Sequence, residues 1–219
     1  MKGKGDSASA RTVHKNGKIE WKDKDGKLHR EDGPAIEWPK KGSRAWYIHG
    51  RLHREDGPAM DGPLGQGWYR NGKRHRDDGP AIIFADGRIL WYRQGRLDRE
   101  DGPAVELPGG KKFWYRRGKL HRDNGPASEE PEQQRWWRDG HLHREDGPAI
   151  ERADGTKDWF IDGVKLTAEQ FAAFREKQIN AMGEAFKEGL DHKIPVKAIG
   201  KLKTSSEARK SAPDSGGPE

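Results

Sequence analysis

The chain has 219 residues, 36% of them charged and 31% hydrophobic, with 43 Lys/Arg against 36 Asp/Glu, a net charge of +7, and no cysteine. The missing thiols exclude a disulfide scaffold, a Cys-ligated zinc site, an iron–sulfur cluster and a Cys nucleophile. Leu, Ile, Val and Phe together number only 32, while tryptophan numbers nine, which excludes one large aliphatic core, argues against a solvated coil and predicts a thin repeat array.

Residues 1–13 are Lys-, Gly- and Ser-rich, lack the apolar h-region of a secretion signal and read as a flexible basic N-terminus. No window approaches the 18 apolar residues of a membrane span. A soluble, cytoplasmic protein is therefore expected.

Residues 14–163 read as six repeats and a partial seventh. The motif Asp-Gly-Pro-Ala places glycines at Gly33, Gly57, Gly79, Gly102, Gly125 and Gly147, at spacings of 22–24 residues. The acid before the glycine is Asp32, Asp56, Asp78, Asp101 and Asp146, with Asn124 in the fifth copy. A His-Arg pair precedes each motif, except that Asp98 replaces histidine in the fourth copy. Trp46, Trp68, Trp91, Trp114 and Trp136 stand 11 residues before the glycine, Trp21 stands 12 before, and Trp159 opens the seventh unit. From Trp46 onward each is followed by a second aromatic: Tyr47, Tyr69, Tyr92, Tyr115, Trp137 and Phe160.

In the fourth unit, Ala81–Phe84 and Arg88–Arg93 read as strands separated by a turn at Ala85-Asp86-Gly87. Asn71-Gly72, Asp139-Gly140, Asp154-Gly155 and Asp162-Gly163 read as equivalent type I′ turns, since Asn, Asp and Gly tolerate positive φ. The glycine of Asp-Gly-Pro is expected to supply a backbone strained for other residues. Two strands per unit give about 10 Å per repeat and a ribbon roughly 60 Å long. Adjacent residues of a strand face opposite ways, so the Trp and Tyr columns form two ladders, one better buried and the other partly exposed. The fold expected is all-β: an elongated, single-layer antiparallel β-ribbon or solenoid of stacked hairpins, closed by a C-terminal capping α-helix over 164–188. Thr167 and Gln170 form a capping box, Leu166 and Phe171 a hydrophobic staple, and Phe171, Phe174, Gln178, Met182 and Phe186 a stripe. Residues 189–219 read as a mobile tail.

The order aromatic strand, Asn-Gly-Lys, basic-histidine link, strand ending in Asp-Gly, as in Trp68-Tyr69-Arg70-Asn71-Gly72-Lys73-Arg74-His75 and Ala85-Asp86-Gly87, resembles the membrane occupation and recognition nexus (MORN) family. The resemblance covers residues 14–163, with Asp-Gly-Pro-Ala standing where that family has Gly-x-Gly. It implies stacked hairpins and a mostly non-catalytic role in scaffolds and in protein or lipid contacts. Short arrays of this variant look like those of bacteria, phages and large viruses.

The recurrent His-Arg-x-Asp, such as His53 with Asp56, offers metal or acid–base chemistry in principle. Six copies with Asp98 and Asn124 as replacements fit structure better: Asp accepting turn amides, Arg pairing with carboxylates, His packing across the repeat seam. No metal, cofactor or catalytic residue is expected. A binding row is expected at Tyr47, Tyr69, Arg70, Tyr92, Arg93, Tyr115, Arg116, Trp137 and Arg138. Its reading is a non-enzymatic adaptor, scaffold or inhibitor gripping a protein partner. The alternative is nucleic acid or nucleotide stacked on the Trp/Tyr/Arg face. Residues 31–163 carry 24 Lys/Arg and 24 Asp/Glu, so the excess charge lies at the ends. The basic N-terminus offers nucleic acid or an anionic surface a further contact, and free edge strands leave a homodimer possible.

Overall fold

The computed structural model describes residues 9–187 and divides into two units, Met1–Lys165 and Leu166–Glu219. The first unit is built on a 15-stranded antiparallel sheet that runs in chain order from Ala10–Val13 to Val164–Leu166. The excursions between its strands form five separate two-stranded hairpins. Their strands are Tyr47–Ile48 with Arg51–Leu52, Tyr69–Arg70 with Lys73–Arg74, Tyr92–Arg93 with Arg96–Leu97, Tyr115–Arg116 with Lys119–Leu120, and Trp137–Arg138 with His141–Leu142. A hairpin stack thus holds as expected, but each unit makes four short strands rather than two.

The predicted strand Arg88–Arg93 is broken at Trp91. Ile89–Leu90 belongs to the long sheet and Tyr92–Arg93 to a hairpin. At the break the Trp91 amide donates to the Ala104 carbonyl at 2.7 Å, and the Trp91 carbonyl accepts from the Asp98 amide at 3.1 Å. The same two bonds recur at Trp46, Trp68, Trp114 and Trp136. Each tryptophan is therefore the point where the chain leaves one sheet for the other, with both backbone groups satisfied.

The core is a column of the smallest side chains. Ala35, Ala59, Ala81, Ala104, Ala127 and Ala149 are all fully buried. Beside them a row crosses the sheet through facing positions: Ile82 with Leu90, Leu90 with Val105, Val105 with Phe113, Phe113 with Ser128. Ile36, Ile82, Val105 and Ile150 of this row are buried. Met60 is exposed, because its row neighbours are Ala45 and Gly67, too small to cover it. Ser128 is buried with a polar set of its own, its hydroxyl donating to Glu130, which also accepts from Arg135.

Two turn classes alternate. In the five hairpins, at His49-Gly50, Asn71-Gly72, Gln94-Gly95, Arg117-Gly118 and Asp139-Gly140, and at Asp162-Gly163 between the last two strands of the long sheet, both central residues are left-handed, the type I′ pattern. Asp154-Gly155 does not belong with them. There only the glycine has positive φ, and Arg152 donates its amide to Thr156, a long-sheet turn like the one at Asp86-Gly87. Hairpins of successive units are also joined to each other. Gly72, Gly95, Gly118 and Gly140 donate to carbonyls of the preceding hairpin at 2.7–2.9 Å.

Ala10–Val13 pair with Ile19–Lys22, so the sheet begins four residues before position 14 and these residues are not a flexible leader. Residues 1–8 and the predicted tail 189–219 lie outside the described residues. In the second unit the helix spans Ala168–Lys187, while Val164–Leu166 finish the sheet rather than start the helix. The capping box forms: Thr167 donates its amide to Gln170 Oε1 at 2.9 Å, and Gln170 donates its own to Thr167 Oγ1 at 3.2 Å. Phe171 is buried and its ring lies 6.2 Å from Phe174, but the stripe ends short of Phe186, which is exposed. No helix among the described residues is long and apolar enough to cross a membrane.

A larger side chain in the alanine column has nowhere to go. Ala104→Leu is expected to cost about 1–3 kcal/mol by overpacking, read as a lower urea midpoint. A midpoint equal to wild type would show that the column is not closely packed.

Candidate functional site

The His-Arg-x-Asp-Gly-Pro segment forms a clamp on the tryptophan of its own unit. The guanidinium carbons of Arg30, Arg54, Arg76, Arg99, Arg122 and Arg144 lie 3.8–4.2 Å from the ring centroids of Trp21, Trp46, Trp68, Trp91, Trp114 and Trp136. Such stacking is favourable through the ring quadrupole. Nε of Arg54 donates to Asp56 at 2.8 Å and Nη1 to the Pro58 carbonyl at 3.3 Å, a pattern repeated at Arg30, Arg76, Arg99 and Arg144. The motif aspartate thus accepts from arginine, where turn amides were expected. That arginine holds Asp32, Asp56, Asp78 and Asp101 below the usual carboxylate range.

The clamp also corrects the expected role of the motif glycine. Gly33, Gly57, Gly79, Gly102 and Gly147 have no positive φ; a Cβ at Gly102 would stand 2.7 Å from the Arg99 guanidinium carbon. Close approach of the stacked guanidinium, not backbone strain, favours glycine there, since a Cβ would push the arginine off its place. The fifth copy is the exception. With Asn124 in place of aspartate, Arg122 keeps the Pro126 carbonyl and, like Arg99 and Arg144, the glutamate seven residues on, while Gly125 takes a φ of 114°.

The motif histidine joins one unit to the next. Nδ1 of His29, His53, His75, His121 and His143 accepts the amide of His49, Asn71, Gln94, Asp139 and Asp162 at 3.0–3.2 Å. Each of those amides belongs to the left-handed residue of the following hairpin turn. Asp98, the one replacement, does the same through Oδ1, accepting the Arg117 amide at 3.1 Å. Packing of the histidine across the seam is therefore found, and the substitution at Asp98 keeps the acceptor. In the last two units the turn residue is itself an aspartate. Its carboxylate lies 3.1 Å from Nδ1 of His121 and 2.8 Å from that of His143.

The predicted binding residues Tyr47, Tyr69, Arg70, Tyr92, Arg93, Tyr115, Arg116, Trp137 and Arg138 all fall on the first strands of the five hairpins. Cross-strand register separates them into two faces, because directly paired residues share a face. Tyr92 pairs with Leu97 and Tyr115 with Leu120, whereas Arg93 pairs with Arg96 and Arg116 with Lys119. The aromatics and the arginines therefore do not form one gripping surface. Both aromatic columns are half-buried, so neither ladder is the exposed one. Burial pushes the Tyr47 and Tyr115 hydroxyls up, and those of Tyr69 and Tyr92 accept from Arg74. Arg70, Arg93, Arg116 and Arg138 are exposed and paired with Asp77, Glu100, Asp123 and Glu145.

Two features were missed from sequence. One is the residue after each hairpin glycine: Arg51, Lys73, Arg96, Lys119 and His141, all exposed. It is Lys or Arg in four of the five hairpins and histidine in the last, but a summed charge hides it. The other is a cluster of Asp23, His29 and His49, whose ligand atoms lie within 4.8 Å of one another. Its rings are stacked, 4.3 Å apart and tilted by 19°. Near-parallel imidazoles cannot aim in-plane lone pairs at one ion. His29 Nδ1 already accepts an amide, and the His49–Asp23 hydrogen bond of 2.9 Å holds Asp23 below the usual range. No family model and no curated protein matches the chain.

The histidine link predicts a graded response. His75→Ala removes the acceptor of the Gln94 amide and is expected to cost about 0.5–1.5 kcal/mol, whereas His75→Asp, following the precedent of Asp98, costs less. Equal midpoints in urea for both variants would contradict the link. A second expectation concerns acid. The Lys18 ammonium, helped by His14 and Lys22 and against the opposing effect of burial, holds Glu20 down from 4.5 to about 2. The unfolded chain then binds the proton first, so this stability is present above about pH 4.5 and is lost as pH falls towards 2. Glu20→Gln should flatten that loss in a pH series of urea midpoints; an unchanged acid limb would contradict it.

Proposed function

We propose that the chain is a MORN-like, non-enzymatic repeat protein, cytoplasmic, that binds a partner protein along its hairpins as an adaptor, scaffold or inhibitor. The observation that carries this reading is the engagement of the motif side chains within the fold. The arginine is stacked on tryptophan and the histidine or Asp98 accepts an amide of the next unit, copy after copy. A repeated device of that kind supports a structural role for the motif. What varies outward along the array is a pattern of exposed charge, suited to contact over a length rather than to chemistry at a point.

The experiment is affinity capture from lysate with the intact protein, with and without nuclease, followed by mass spectrometry. A discrete protein retained after nuclease treatment is the expected result. Recovery of nuclease-sensitive material alone would overturn it in favour of nucleic-acid binding.

A further inference from the structure

The outward face of the three central hairpins carries like charges directly opposite each other. Arg70 pairs with Lys73, Arg93 with Arg96, and Arg116 with Lys119. Like charges at directly opposed positions destabilise a sheet, yet here they recur in three consecutive units. The first member of each pair is compensated, by Asp77 at 3.5 Å, Glu100 at 2.9 Å and Asp123 at 3.4 Å. The second member is not: among the described residues no carboxylate lies within ion-pair distance of Lys73, Arg96 or Lys119.

The stems of these three side chains run alongside the next hairpin. The stems of Lys73, Arg96 and Lys119 lie 3.5–3.7 Å from where a Cβ would stand on Gly95, Gly118 and Gly140, the turn glycines of the next hairpins. Those glycines are bonded in turn to the preceding hairpin. The stems pack while the charged heads stay in water, and stacking of units sets the heads in a row with a repeat of about 10 Å.

We infer that this row of Lys73, Arg96 and Lys119 docks an acidic segment of a protein partner. The inference rests on the partner-binding reading above and names the chemistry of that partner. A second row of charge favours protein over nucleic acid. Glu55, Asp56, Asp78, Glu100 and Asp101 are 78–82% exposed along the motif loops. Residues 31–163 balance at 24 charges of each sign. A phosphate backbone brings unbroken negative charge, and a face whose other cations are already matched by Asp56, Asp78, Glu100 and Asp101 offers it no net attraction along its length. A protein segment places its carboxylates only where the cations are.

The test is fluorescence anisotropy with a labelled oligo-glutamate peptide and, at the same salt, a labelled oligothymidylate. The peptide is expected to bind more tightly than the oligonucleotide, and Lys73→Glu/Arg96→Glu/Lys119→Glu to weaken it at least tenfold with thermal unfolding unchanged. Lys40→Glu/Lys41→Glu/Lys157→Glu, with the same charge change outside the hairpins, should bind as wild type. Should the first variant not fold, Lys73→Gln/Arg96→Gln/Lys119→Gln serves with the same expectation. Undiminished peptide binding by the row variant, equal losses in both variants, or tighter binding of oligothymidylate would overturn the inference. Retention of the same nuclease-resistant protein by the row variant would overturn this surface while leaving partner binding standing.

Discussion

The array depends on one hydrogen bond made over and over: an acceptor in one unit holds the amide of a left-handed turn residue in the next. Six hairpin turns need positive φ at a residue other than glycine, and for Gln94 and Arg117 that is an uncommon conformation. The ring of His75 and the carboxylate of Asp98 accept those two amides. The turn is thus secured by its predecessor, and no hairpin is complete alone. This is the nearest-neighbour logic of a repeat protein, carried here by a polar contact instead of a large apolar interface.

The other parts fit around that link. Alanine fills the column where sheet and hairpin diverge, so there is little apolar volume to bury, as the sparse aliphatic composition requires. Tryptophan supplies much of the missing apolar area, and the arginine lying over each ring covers it while bonding the motif proline carbonyl, the aspartate wherever one is present and, at Arg99, Arg122 and Arg144, a glutamate of the next strand. Charged side chains act as the outer layer of a fold too thin to have another.

Much of this was legible in the sequence because it recurs. The spacing of Gly33 through Gly147 marked the units, the Asn-Gly and Asp-Gly pairs marked turns, and Thr167 with Gln170 marked the start of the helix. The variation was informative too, since Asp98 in a histidine column excluded a need for imidazole itself. What a linear reading missed follows from geometry between units. The break at Trp91 is set by a bond to Ala104, thirteen positions on, and no local propensity announces it. Gly102 looked like a residue needed for its backbone, but what crowds it is the Arg99 guanidinium lying over the Trp91 ring. Tyr92 and Arg93 are neighbours in sequence and lie on opposite faces. The cations of Lys73, Arg96 and Lys119 were hidden because charge summed over the array cancels while charge on one face does not.

Hydrogen exchange at single amides tests the link between units most directly. The amides of Asn71, Gln94 and Arg117 sit in exposed turns, where an isolated hairpin would leave them open to water. If the preceding His53, His75 and Asp98 hold them, they will exchange far more slowly than unprotected peptide amides, and the Gln94 amide will lose its protection in His75→Ala alone among the three. Exchange of all three at free-peptide rates in the folded protein would contradict the account.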